Sequence, residues 1–107
     1  MRAMPPRRPR TAARVRARAH AALVRDLERL AALAPGGAPE RPIGVESPVQ
    51  VELRAAAAAC PLCEAPVRLV EHGAETVGGV RLRVARVRCT ACGVARARWF
   101  RLTETTQ

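Results

Sequence analysis

The residues best placed to do chemistry are four cysteines in two pairs, Cys60-Pro61-Leu62-Cys63 and Cys89-Thr90-Ala91-Cys92, separated by 25 residues. A two-residue spacer lets one tight turn aim both sulfurs at a single ion, and four thiolates close a tetrahedral Zn²⁺ site. Such a site keeps no open coordination position, so the expectation is structural zinc rather than catalytic zinc. The alternatives are a redox pair, or free or disulfide-linked thiols. A thioredoxin-like centre needs a helix after its Cys-x-x-Cys and a βαβ context; strand-like runs follow both pairs here. A knuckle also needs a residue that tolerates the left-handed conformation, which Gly93 does readily and Glu64 does not. His72 reads as a solvated strand residue and His20 as a helix residue in packing or solvent contact, so neither is assigned to metal.

Little else suggests catalysis. The single serine is Ser47, there is no tyrosine, and neither a phosphate-binding glycine loop nor a paired set of carboxylates is present. No enzyme activity and no small-molecule substrate are expected. The other chemistry is cationic. Arg2, Arg7, Arg8, Arg10, Arg14, Arg16, Arg18 and Arg25 precede the first acid, Asp26, a distribution that attracts a phosphate backbone. Arg96, Arg98 and Arg101 interleave with Trp99 and Phe100, a mixture able to hold phosphates and stack bases. The candidate nucleic-acid residues are therefore Arg7, Arg8, Arg10, Arg14, Arg18, Arg96, Arg98 and Trp99. Arg88, beside Cys89, has a further possible use, because a zinc ion on four thiolates carries a formal charge of about −2.

These residues need elements to position them. Residues 1–10 hold three prolines and four arginines and read as a disordered basic arm. Residues 11–34 read as an amphipathic helix, with Val15, Ala19, Leu23, Leu27, Leu30 and Ala34 on one face, Thr11 as N-cap and Pro35-Gly36-Gly37 as the stop. Its arginines precede its acids, the reverse of what the helix dipole favours, so helix stability does not explain the order. Residues 35–47 read as a Pro/Gly linker.

From Pro48 onward the period changes to two, and residues 48–104 read as one domain. Val49, Val51 and Leu53 alternate with polar residues as in a half-buried strand, Val67 and Leu69 repeat the pattern, and Val80, Leu82 and Val84 begin a third run. Arg86 and Arg88 fall on the parity of those valines, so a bulge near Ala85 is expected to return them to solvent. Gly78-Gly79 predicts the hairpin turn between the second and third runs. In the last run Phe100 is assigned to the core with Leu102 and Val94, and Trp99 to the other face.

Length and composition fit this picture. The chain has 107 residues, a net charge of +10 and a hydrophobic fraction of 49%, but 22 of its residues are alanine. Alanine buries little area, and a small domain with so thin a core needs a staple. No window is long and uncharged enough to span a bilayer, and arginines interrupt any secretory signal in the first residues. All nineteen basic side chains are arginine, which with heavy Ala, Val, Gly and Pro usage points to a GC-rich bacterial genome. A reducing bacterial cytoplasm is the expected compartment, where cysteine pairs more often mean metal than disulfide.

On Cys60, Cys63, Cys89 and Cys92, with Pro61 and Gly93, the segment from Cys60 to Leu102 resembles the zinc-ribbon superfamily. The resemblance implies a three-stranded antiparallel sheet hung from one zinc, and no particular function. The expected fold class is thus a small mainly-β zinc ribbon, three to four antiparallel strands on one four-cysteine zinc site, with an N-terminal α-helix. The expected function is a non-enzymatic, zinc-binding protein that binds RNA or DNA through its Arg-rich arm and strands. The alternative is a protein–protein interaction module or accessory subunit that docks by its helix and sheet edge.

Overall fold

The Gly78-Gly79 dipeptide organises the second half of the chain. Both residues take positive φ, 57° and 80°, as the tight turn between right-twisted strands requires. The turn joins β2 (Val67–Val77) to β3 (Val80–Cys89) as an antiparallel hairpin in this computed structural model, which describes residues 9–103. The chain then returns through the second cysteine pair into β4 (Ala95–Leu102), antiparallel to β3. A short β1 (Ile43–Val45) pairs parallel with β4, which gives a four-stranded mixed sheet of order β1-β4-β3-β2. The expectation of antiparallel strands holds for three of them and is corrected by β1.

Two segments differ from the sequence expectation. Residues 48–54 form no strand but belong to α2 (Pro48–Ala57). Ser47 caps it by accepting a hydrogen bond from the Gln50 N–H, Pro48 occupies the first turn, and the Gln50 side chain accepts from the Glu46 N–H at 2.7 Å. Ser-x-x-Gln with an alanine run behind it is a helix start, and here it overrides the alternation. Val51 and Ala55, four apart, are fully buried against the sheet, whereas Val49 and Leu53 are largely exposed. Residues 35–47 are likewise no free linker. The buried Gly36 (φ 79°) donates its N–H to the Arg41 carbonyl at 2.6 Å, and its own carbonyl accepts from the Trp99 N–H at 2.8 Å. The positive φ favours glycine, and a Cβ there would also crowd the Ile43 side chain at 2.8 Å and the Trp99 carbonyl at 3.3 Å.

One face of the sheet carries the core. Val67, Ala85, Val87, Cys89 and Phe100 pack with Val45, Val51, Ala55 and Cys60. Phe100 is completely buried, as expected, and Trp99 lies on the opposite face beside Val84. Arg86 and Arg88 reach solvent as expected, but not through a bulge at Ala85. The buried side of β3 changes along its length: Leu82 and Val84 are covered on one face, Ala85, Val87 and Cys89 on the other. The register irregularity lies on β2, between Leu69 and Glu71, where Val70 is pushed into solvent.

The N-terminal helix α1 (Pro9–Leu33) stands apart from this unit. It already runs at Pro9, so Thr11 lies inside the helix rather than capping it. Among the described residues, no Cα of another helix or strand comes within 8 Å of it. It is tied down near its C-terminal end, where Glu28 pairs with Arg96 of β4 and the Arg41 guanidinium donates to the Ala32 carbonyl at 3.2 Å.

Candidate metal centre

Each Cys-x-x-Cys is built on the same backbone turn. In the first, the Cys60 carbonyl accepts from the Glu64 N–H at 2.8 Å and the Cys60 N–H donates to the Ala65 carbonyl at 2.9 Å. In the second, Cys89 repeats both contacts with Gly93, at 3.2 Å, and Val94, at 2.9 Å. Glu64 (φ 64°) and Gly93 (φ 76°) supply the left-handed residue that closes each turn. The reluctant candidate, Glu64, thus adopts the conformation its position demands, at a cost of about 1–2 kcal/mol for a non-glycine residue. Glu64→Gly is expected to stabilise the metal-loaded protein by about 0.5–1 kcal/mol, part of the relief being returned as unfolded-state entropy. Thermal unfolding at saturating metal checks this, and a lower midpoint for the variant would contradict the strain argument.

Thr90 locks the two turns together. Its N–H and its hydroxyl both donate to the Pro66 carbonyl, at 3.0 and 2.8 Å. Nothing in the spacing of the cysteines pointed to this residue, because the contact joins segments 24 positions apart.

The four sulfurs lie within 4.8 Å of one another. Cys60 Sγ is 3.8 Å from Cys92 Sγ, and Cys63 Sγ is 3.4 Å from Cys89 Sγ. A tetrahedron with metal–sulfur bonds of about 2.3 Å places its sulfurs about 3.8 Å apart. A disulfide would need about 2.05 Å, and all four cysteines are free. The donor set therefore fits a metal ion held by four thiolates. Cys60 and Cys89 are buried in the core and Cys63 and Cys92 are exposed, so the site joins the hydrophobic core to the surface.

The backbone prepares one of the sulfurs. The Cys92 and Ala91 N–H groups both point at Cys89 Sγ, at 3.4 Å. The Cys92 N–H is the main cause that holds the Cys89 thiol down at about 6, against burial that pushes it up. For Cys92, the Val94 N–H pulls the thiol down, but burial and the neighbouring cysteine sulfurs outweigh it and leave the thiol at about 11. The backbone thus favours the thiolate at Cys89 over that at Cys92, and closing a four-thiolate site displaces every thiol proton that remains. Arg88 does not reach the sulfurs; it donates to the Gly93 carbonyl at 3.0 Å and so braces the second turn.

The cationic candidates separate into two groups. Arg10, Arg14 and Arg18 are exposed on α1 and have no carboxylate partner among the described residues, while Arg7 and Arg8 lie outside those residues. Arg96 and Arg98 are engaged within the chain. Arg98 donates to the carbonyls of Ala55, Ala58 and Ala59, closing the C-terminal end of α2. Burial lowers its pKa and the Arg96 charge adds to the effect, with Cys60 acting in the opposite sense. Arg96 holds Glu28, and Arg86 holds Glu75 at 3.0 Å and Glu71 at 3.8 Å. Trp99 remains half-buried. His72, read as solvated, is instead tucked beneath α2 with its Nδ1 2.9 Å from a Glu52 oxygen.

Comparison with protein-family models, with curated proteins and with solved structures yields no match. Among the described residues no helix is long and apolar enough to cross a membrane.

Proposed function

We propose that this chain is a non-enzymatic, zinc-stapled binding module that grips the phosphate backbone of RNA or DNA with one face of α1. Zn²⁺ is the ion a closed set of four thiolates suits best, and in a closed set it organises structure rather than reacting. The sheet hung from two cysteine turns supports the zinc-ribbon resemblance, with α2 and the parallel β1 as additions to that pattern. The observation that carries the nucleic-acid reading is the arrangement of free charge. Arg10, Arg14, Arg18 and Arg25 are exposed and without carboxylate partners among the described residues, and at 3.6 residues per turn they fall within about 80° of one face. The strand arginines contribute less, because Arg86, Arg96 and Arg98 already have partners within the chain.

An electrophoretic mobility shift across a salt series tests the reading. Wild-type protein is expected to bind a mixed RNA or DNA probe at low salt with a steep loss of affinity as salt rises. Replacing Arg10, Arg14 and Arg18 together by Gln is expected to reduce the slope of log K against log salt by about three. An unshifted wild-type probe at about 50 mM salt would rule the function out.

A further inference from the structure

The face of the sheet turned away from α2 carries the one aromatic side chain that the core does not use. Opposed residues of an antiparallel pair share a face, so the register fixes its contents row by row. Arg68 of β2 stands opposite Arg88 of β3, Glu71 opposite Arg86, Gly73 opposite Val84 and Glu75 opposite Leu82. On β4, Ala95 lies opposite Arg88, Ala97 opposite Arg86 and Trp99 opposite Val84. Arg101, two residues beyond Trp99, is on the same face. Among the described residues no helix packs there. Val51 and Ala55 of α2 are buried with Ala85 and Phe100 on the other side, and α1 reaches only Arg96, which belongs to that other side as well.

Trp99 sits on an apolar floor in open surroundings. Val84 and Leu82 are 3% and 2% exposed although neither belongs to the core under α2. The largest side chain beside Val84 is the Trp99 indole, itself only half-buried. Its neighbours on this face are small: Ala97 precedes it by two positions, and beyond Val84 comes Gly73, where a Cβ would meet nothing within 4 Å.

Charge frames the ring. Arg86 is engaged by Glu71 and Glu75, at 3.8 and 3.0 Å. Arg68, Arg88 and Arg101 are exposed and have no carboxylate partner among the described residues. Arg88 keeps its full charge, because its contact is the Gly93 carbonyl. Arg101 and the row of Arg88 and Arg68 lie about 20 Å apart along the strands, with Trp99 between them. This combination suits a polyanion whose repeating unit has a flat apolar face, so that a base stacks on the ring while phosphates meet the guanidinium groups. An apolar peptide would leave the arginines unused, and a free phosphate would leave the ring unused. Paired bases of a duplex are stacked on one another and offer no such face.

We propose that the sheet face opposite α2 is a single-strand site, where a base of RNA or DNA stacks on Trp99 and adjoining phosphates pair with Arg101 on one side and with Arg88 and Arg68 on the other. The inference rests on the nucleic-acid reading above and narrows it: α1 grips phosphates in any strand, whereas this face selects unpaired bases.

Trp99 is the only tryptophan and the chain has no tyrosine, so intrinsic fluorescence reports this site alone. Zinc-loaded full chain is titrated at about 50 mM salt with a thymidine strand of about eight nucleotides, and in parallel with a blunt duplex of equal length. The single strand is expected to quench the emission to a plateau and to bind about tenfold tighter than the duplex, which leaves the emission unchanged. Trp99→Ala is expected to weaken single-strand binding by about tenfold or more in a mobility shift, and Trp99→Phe to keep most of it. Because Trp99→Ala also uncovers Val84, Arg101→Gln is measured beside it. Arg101 is exposed, so this variant is expected to fold normally and to lose about three- to tenfold in affinity. A shifted single strand with unchanged Trp99 emission overturns the site and leaves the α1 grip standing, and so does equal quenching by the duplex. Full single-strand affinity in both Trp99→Ala and Arg101→Gln overturns it too. Quenching that persists when Arg10, Arg14 and Arg18 are replaced together by Gln supports the site even where the salt slope shows no grip by α1. Neither a shift nor quenching with any probe overturns both readings.

Discussion

Removal of zinc by a strong chelator, or replacement of Cys89 by Ser, is expected to unfold the sheet and α2 together. The two buried cysteines are members of the core rather than attachments to it: Cys60 and Cys89 pack with Val67, Val87 and Val51. That core has one aromatic side chain, Phe100, and otherwise valine, alanine and cysteine. Burying a valine contributes about 1.5–3 kcal/mol, and so thin a set barely offsets the entropy of ordering the chain. Zinc binding to a four-ligand peptide site contributes about 10–16 kcal/mol at neutral pH, well above the margin of a small domain. Zinc stoichiometry by elemental analysis, with amide dispersion before and after chelation, checks the expectation. A native spectrum from fully metal-free protein would refute the staple.

Arg98→Ala is expected to cost about 2–3 kcal/mol of stability at saturating zinc, far more than an ordinary partly exposed side chain. One guanidinium satisfies the Ala55 and Ala58 carbonyls, acceptors that a helix end leaves without internal partners, and the Ala59 carbonyl just beyond the cap. Truncation strands the least exposed of them and removes a positive charge from the negative end of α2. Because Val51 and Ala55 of α2 form part of the core, loosening that helix end also loosens the sheet. Arg98→Lys should recover less than half, since an ammonium keeps the charge but lacks the planar fork that reaches several carbonyls at once. Urea unfolding with zinc in excess measures both variants. An Arg98→Ala protein within about 0.5 kcal/mol of wild type would show that water replaces the contacts, the usual outcome for an ordinary surface position.

Arg98 also illustrates the boundary between sequence and structure. In the sequence it belongs to a run of arginines beside Trp99 and reads as a nucleic-acid contact. In the fold it faces the same side of the sheet as Ala85, where the end of α2 lies across it, and its charge is used internally. Residues 48–54 show the complementary case. Val49, Val51 and Leu53 alternate as in a strand, but Ser47, Pro48 and Gln50 form a helix start, and an apolar residue every second position over so short a stretch fits either reading. The capping residues were the better guide, because they act on the backbone directly while alternation depends on what covers each face.

The sequence by itself determined the features whose physics is local. Two residues between cysteines make a turn that presents both sulfurs, two glycines make a hairpin, and the parity of Phe100 relative to Trp99 places one ring inside. These follow from backbone geometry over a handful of positions. The tertiary structure alone decided which distant segments meet: β1 alongside β4, Thr90 against Pro66, His72 beneath α2, and the end of α2 over Arg98. Among the described residues it also left most of the apolar stripe of α1 exposed, although the leucines of that stripe were legible from the start. Periodicity shows that a face is apolar, but what covers the face depends on where the rest of the chain goes.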